Sequence, residues 1–76
     1  MFKATIITPN RVLFEGDVRS VFFMGATGEF EVLEFHKPLL SLLRKGDILI
    51  DDARTIPIKR GVVQVFENEL VAVVEE

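Results

Sequence analysis

Apolar residues in this chain recur at every second position, in short runs, and that period points away from helical folds. "FKATIIT" (2–8) is a β-branched run stopped by the turn pair Pro9-Asn10. "RVLFEGDVRSVFFM" (11–24) holds two apolar runs, parted at Glu15-Gly16-Asp17. "DILID" (47–51), "TIPIK" (55–59) and "VVQVF" (62–66) follow, and "LVAVV" (70–74) comes after a Glu67-Asn68-Glu69 turn. Turn signals return every eight to twelve residues or so, about the spacing of an antiparallel sandwich or barrel. No repeat, linker or low-complexity stretch interrupts them, so one domain, 1–76, is expected. The predicted core draws on Ile6, Val12, Phe14, Val18, Val21, Val63, Val65, Val71 and Val73.

Size sharpens this expectation. Seventy-six residues without a cysteine have neither a disulfide nor a thiolate metal site to brace them, so burial alone must hold the fold. The chain is 49% apolar, more than one small core readily hides, and surplus apolar surface marks partner sites. Nine basic against twelve acidic residues, spread without a basic stripe, disfavour nucleic acid as a partner. No run approaches the roughly 20 apolar residues of a membrane span. The apolar stretch of "MFKATIITPNR" is too short for a signal peptide.

Residues 23–43 hold the chemistry-bearing side chains. His36 is the only histidine. A catalytic role would need a nucleophile and an orienting carboxylate within hydrogen-bond reach, yet no nucleophile elbow surrounds Ser41. Zinc would need three or four ligands, and Glu29, Glu31 and Glu34 lack the spacing of a calcium loop. A solvated acidic edge, with His36 as a turn residue, outweighs a site for acid-base chemistry or a metal. "GATG" (25–28) reads as a hairpin or bulged loop, because a phosphate cradle would need a Lys-Ser/Thr pair and a following helix. Most phenylalanines belong to the core by default. Phe23, Phe30 and Phe35 are the candidates for an exposed anchor.

"HKPLLSLLRKG" (36–46) supports two readings. Pro38 at a first helical position, Arg44-Lys45 in a last turn and Gly46 as a stop suit a short helix. Its length, about two turns, is marginal for one, and a short buried strand fits equally well.

Four stretches together resemble the N-terminal β-sandwich of the ε subunit of F-type ATP synthases. They are "TPNRVLFEGDVRSVFF" (8–23), "GATGEFEVL" (25–33), "HKPLLSLLRKGDILI" (36–50) and "GVVQVFENELVAVV" (61–74), in the family's order and over almost the whole chain. There are departures: Glu34-Phe35 stands where the family has Pro-Gly or Pro-Asn before its His. Glu31 stands where a Gly commonly follows the loop Phe.

The resemblance implies an all-β antiparallel sandwich of about eight to ten short strands, with 36–46 extended rather than helical. It implies a non-catalytic rotor part of the central stalk, joining the γ subunit to the c-ring and coupling ion flow to ATP synthesis. No cofactor, metal or small-molecule substrate is implied. The location implied is the cytoplasmic face of the bacterial inner membrane, reached only through the c-ring. A loop over 29–36 would face the ring, with Glu29, Phe30, Glu31, Glu34 and His36 as contacts and the carboxylates as an acidic rim around Phe30. Pro38, Leu39, Leu40 and Leu42 would meet γ. Longer members of the family continue into a C-terminal helical hairpin, absent from these residues, which implies a short form or part of a longer chain. An unrelated β interaction domain and a small carboxylate-dependent enzyme using Glu29, Glu31, Glu34 and His36 are the rival readings.

Overall fold

The period-two runs become nine strands: β1 (Phe2–Ile7), β2 (Val12–Val18), β3 (Ser20–Gly25), β4 (Gly28–Leu33), β5 (Leu39–Leu43), β6 (Gly46–Ile50), β7 (Arg54–Ile58), β8 (Arg60–Phe66) and β9 (Glu69–Glu75). The computed structural model describes every residue, 1–76, and contains no helix. The ambiguous segment is extended because β5 pairs with β8 over its full length, Leu39↔Val65 to Leu43↔Gly61. That ladder satisfies more backbone groups than two isolated helical turns could hold in water.

The strands hydrogen-bond in the order β2-β1-β9-β8-β5-β3-β6-β7, with β4 added along β3. Neighbours are antiparallel with one exception to the expectation: β1 and β9 run parallel, from Lys3↔Glu69 to Ile7↔Val73. These are the first and last strands, so no hairpin constrains their direction. The path has one thin joint, where β3 and β5 share the single pair Gly25↔Leu43. Beyond it β3 pairs with β6 at Val21↔Ile50 and Phe22↔Leu49. The sheet folds over at this joint into a layer of β2-β1-β9-β8-β5 and a layer of β4-β3-β6-β7, and all nine strands supply the 17 residues of one core.

Close approach at the joint dictates its residues. Ala26 N–H donates to Leu42 O at 2.9 Å, Arg44 N–H to Met24 O at 3.0 Å, and Arg44 Nε to Gly25 O at 3.1 Å. A Cβ on Gly25 would lie 2.5 Å from Gly28 O and 2.9 Å from the Phe30 ring, so only glycine fits. Ala26-Thr27 is the two-residue turn of the expected hairpin, closed by Gly25↔Gly28.

Two expectations about boundaries give way. Glu15-Gly16-Asp17 is not a break: it lies inside β2, where Gly16 pairs with Ala4. The break falls at Arg19, where the chain leaves one layer for the other. The Asp51 carboxylate accepts the N–H groups of Arg19 (2.7 Å) and Ser20 (3.0 Å), while Asp51 N–H donates to Ser20 O at 2.9 Å. Asp51 and Asp52 both have positive φ, 52° and 55°, a region aspartate tolerates in a tight turn. Likewise, most of the expected 29–36 loop, residues 29–33, is strand β4.

The core also corrects the sequence reading. Ile6, Val18, Val21, Val63 and Val65 are buried as expected, whereas Phe14 is half-buried and Val12, Val71 and Val73 point outward. "LVAVV" carries apolar residues in both phases of the alternation, so the run alone does not choose a face. Register chooses: Leu70 and Ala72 pair with the buried Val65 and Val63, and Val74 shares their face. Phe23 is fully buried, and Phe30 turns inward and stacks on it with centroids 5.4 Å apart, so neither is the exposed anchor.

Truncating Leu70 to Ala should therefore cost about 2–5 kcal/mol, as buried leucines do, while Val71→Ala on the same strand costs under about 1 kcal/mol. Urea unfolding of the two variants measures this, and equal losses would reject the assigned face. A second expectation concerns Asp51. The hydrogen bonds from Ser20 and Arg19 hold its carboxyl below the ordinary aspartate value. A depressed folded pKa contributes stability that is fully present above the unfolded value of about 3.9 and lost as pH falls through the folded one. The stability gap between wild type and Asp51→Asn should thus be constant near neutrality and narrow below about pH 4. An unchanged gap at pH 3 would refute the carboxylate's role.

Candidate functional site

The carboxylates and the histidine of residues 29–36 do not converge. Along β4, Glu29 pairs with Met24 and Glu31 with Phe22, so both side chains point away from the core on the outer face. Glu34 lies past the end of the strand, about 16 Å along an extended chain from Glu29. It meets the Met1 ammonium instead. His36 is half-buried, its N–H donating to Leu33 O at 3.2 Å and its Nδ1 lying 2.7 Å from Lys37 O. No three acidic or histidine side chains gather as metal ligands would. The expected acidic rim around Phe30 does not form, because Phe30 faces the core while Glu29 and Glu31 face solvent.

What the 34–38 connection does present is Phe35. It is 80% exposed and sits at φ 60°, the left-handed region that a bulky side chain occupies at a cost of roughly 1–2 kcal/mol. This is the position where the family resemblance leads one to expect Gly or Asn, residues that adopt that backbone readily. Asn68, in the β8–β9 turn, holds the connection: its Oδ1 accepts Phe35 N–H at 2.8 Å and its Nδ2 donates to Met1 O at 3.3 Å. Sequence reading found Asn68 only as a turn residue. A partner 33 positions away leaves no local signal.

The second surface is the outer face of the five-stranded layer. Register aligns Leu42, Val62, Val73, Ile7 and Val12 in one row across β5, β8, β9, β1 and β2. At about 4.8 Å per strand the row is roughly 19 Å long. The next row, Leu40, Gln64, Val71, Thr5 and Glu15, is mixed. Charged pairs lie around the apolar row: Lys3 with Glu15 at 3.7 Å, Arg60 with Glu75 at 2.9 Å, and Arg11 with Glu76 at 2.7 Å. An apolar centre with a charged rim is the anatomy of a protein-docking face. One end of the row opens into a groove of about 500 Å³ lined by Pro9, Ala26, Leu42, Val62 and Val73.

Of the side chains expected to meet γ, Leu40 and Leu42 are on this face, 72% and 66% exposed, and Pro38 is exposed in the connection before it. Leu39 is a correction: it pairs with buried Val65, packs against the core and does not reach the outer face. The rest of the row was legible in the alternation of β1, β8 and β9, but only with the phase that register supplies.

All 76 residues match the family described as ATP synthase, Delta/Epsilon chain, beta-sandwich domain, over residues 1–76. Among similar proteins, the ATP synthase epsilon chain of Nitratiruptor sp. is 47% identical over 77 residues, covering 96% of this chain and 60% of the relative. The epsilon chain of Chlorobaculum tepidum is 33% identical over 79 residues, covering 99% of this chain and 90% of its own. This chain thus spans about three fifths of the first relative's length and nearly all of the second's. In fold it is similar to a chain in the cryo-EM structure of the Tetrahymena thermophila mitochondrial ATP synthase central stalk and c-ring. The TM-score is 0.84 at 15% identity, covering 97% of this chain and 63% of that one. With its strand order, corner glycine and unpaired outer face, this chain belongs to the β-sandwich domain family of the ATP synthase delta and epsilon chains.

Proposed function

We propose that this domain works as the ε-type rotor part of an ATP synthase, joining γ to the c-ring and turning with them, without catalysing a reaction itself. The observation that carries the reading is the five-strand apolar row on the outer face. An isolated domain gains nothing from leaving Leu42, Val73 and Val12 exposed and Val62 and Ile7 only half-buried. A partner that covers them does, and γ is the partner assigned to this face, with Leu40 and Pro38 at its β5 side.

The ring is assigned to the end formed by the Glu34–Pro38 connection, where Glu34, His36 and Phe35 are exposed or half-buried. Glu29 and Glu31, on the outer face of β4, then act at longer range. Exposed carboxylates of that kind contribute about 0–1 kcal/mol each, and chiefly steer a partner that carries cations. No helix of the chain is long and apolar enough to cross a membrane. Attachment to the cytoplasmic face of a bacterial membrane would come through the ring.

Leu42→Asp tests the γ assignment. Its side chain is exposed, so the fold should change by no more than about 0.5 kcal/mol, while affinity for purified γ should fall at least about tenfold. Unchanged γ binding by the folded variant would reject the placement. For the ring end, Glu29→Gln combined with Glu31→Gln should slow association at low salt and match wild type near 1 M, where the Debye length is about 3 Å. Equal rates at every ionic strength would remove both carboxylates from the docking reading.

A further inference from the structure

We propose that Phe35 is the apolar anchor by which this end of the sandwich seats on the ring, entering a recess lined by aliphatic side chains; this rests on the ring-docking reading above. Phe35 is 80% exposed at φ 60°, so the isolated domain bears a strained backbone there and buries almost none of the aromatic in return. Asparagine or glycine would satisfy the same turn with less strain. The fold nevertheless holds the residue firmly. Asn68 accepts the Phe35 N–H at 2.8 Å and grips Met1 O at 3.3 Å, pinning the connection to the β8–β9 turn. A residue held on a braced backbone loses little further backbone freedom when it binds, which favours an anchor.

Its surroundings fit a protein recess better than a lipid surface. Three further exposed apolar residues flank the brace: Met1, bonded to Asn68; Leu33, two residues before Phe35; and Phe66, two before Asn68. The charges beside them are Glu34, paired with the Met1 ammonium, and the exposed Glu67, with Lys37 the single basic side chain of the connection. An anionic membrane surface attracts basic clusters, and this end has none. An apolar recess with a cationic rim would accept both the ring of Phe35 and its acidic neighbours.

Binding of the full chain to the assembled γ–c-ring complex tests this, using wild type, Phe35→Asn and Phe35→Leu. Vesicles of phosphatidylglycerol and phosphatidylethanolamine serve as the lipid arm. Phe35→Asn should keep or raise the melting temperature, since asparagine suits the backbone, yet weaken binding about tenfold. Phe35→Leu, which keeps apolar bulk, should stay within about threefold of wild type. Wild-type affinity in folded Phe35→Asn would overturn the anchor, as would an equal loss in Phe35→Leu. Vesicle binding that depends on Phe35 would overturn the assignment to a protein recess. Failure of the wild-type chain to bind the assembly would instead bring down the docking reading itself, a result the Phe35 variants could not produce.

Discussion

Everything in this fold depends on the approach of two backbones at Gly25 and Leu43. With 76 residues and no covalent staple, a nine-stranded sheet must curl on itself to enclose a core. The curl happens where β3 passes from β4 and β6 to β5, and a Cβ at Gly25 would collide with Gly28 O and the Phe30 ring. The absent side chain lets β3 and β5 share a pair, puts Leu43 into the core, and leaves Leu40 and Leu42 on the other side. The outward row on β5 is thus a consequence of how the corner is made.

From this follows an unusual distribution of apolar surface. Each strand has an inner and an outer set of side chains, and strands of an ordinary small sandwich would pair apolar inner sets with polar outer ones. Here β1, β8 and β9 carry apolar residues in both, so the five-stranded layer is a sheet with a core on one face and an apolar row on the other. Charges gather as exposed pairs at its margins, where each is worth little to stability but marks where water resumes. A rotor part clamped between two partners would need such a layout: one broad face and one narrow end, each presented by backbone that the core keeps rigid.

The polar ties work across the chain rather than along it. Asp51 reaches from the β6–β7 turn to the start of β3, and Asn68 from the β8–β9 turn to the connection before β5. Both sit in left-handed turns that aspartate and asparagine tolerate, with φ of 52° and 62°. Phe35 and Glu67 share such a φ without that tolerance, and Phe35 is also the most exposed large apolar residue of the chain. Strain and exposure on one residue, under a dedicated brace, separate it from the phenylalanines that simply fill space.

Strand type, seven of the nine strands and the Ala26-Thr27 hairpin were written in the local sequence, because period two, paired glycines and β-branched runs are properties of neighbouring residues; β4 lay in an expected loop and β5 in a segment that suited a helix equally well. So was the family, whose motifs run through the chain in order. The face of each strand was not: in "LVAVV" both phases are apolar, and only pairing of Leu70 and Ala72 with Val65 and Val63 turned Val71 and Val73 outward. For the same reason Val12 was misplaced and Leu39 mistaken for surface. The parallel β1–β9 pair, the break at Arg19 and the braces of Asp51 and Asn68 join residues far apart in the chain. Composition allowed many such meetings, and only closure of the sheet around its core, with its exact register, selected the ones that occur.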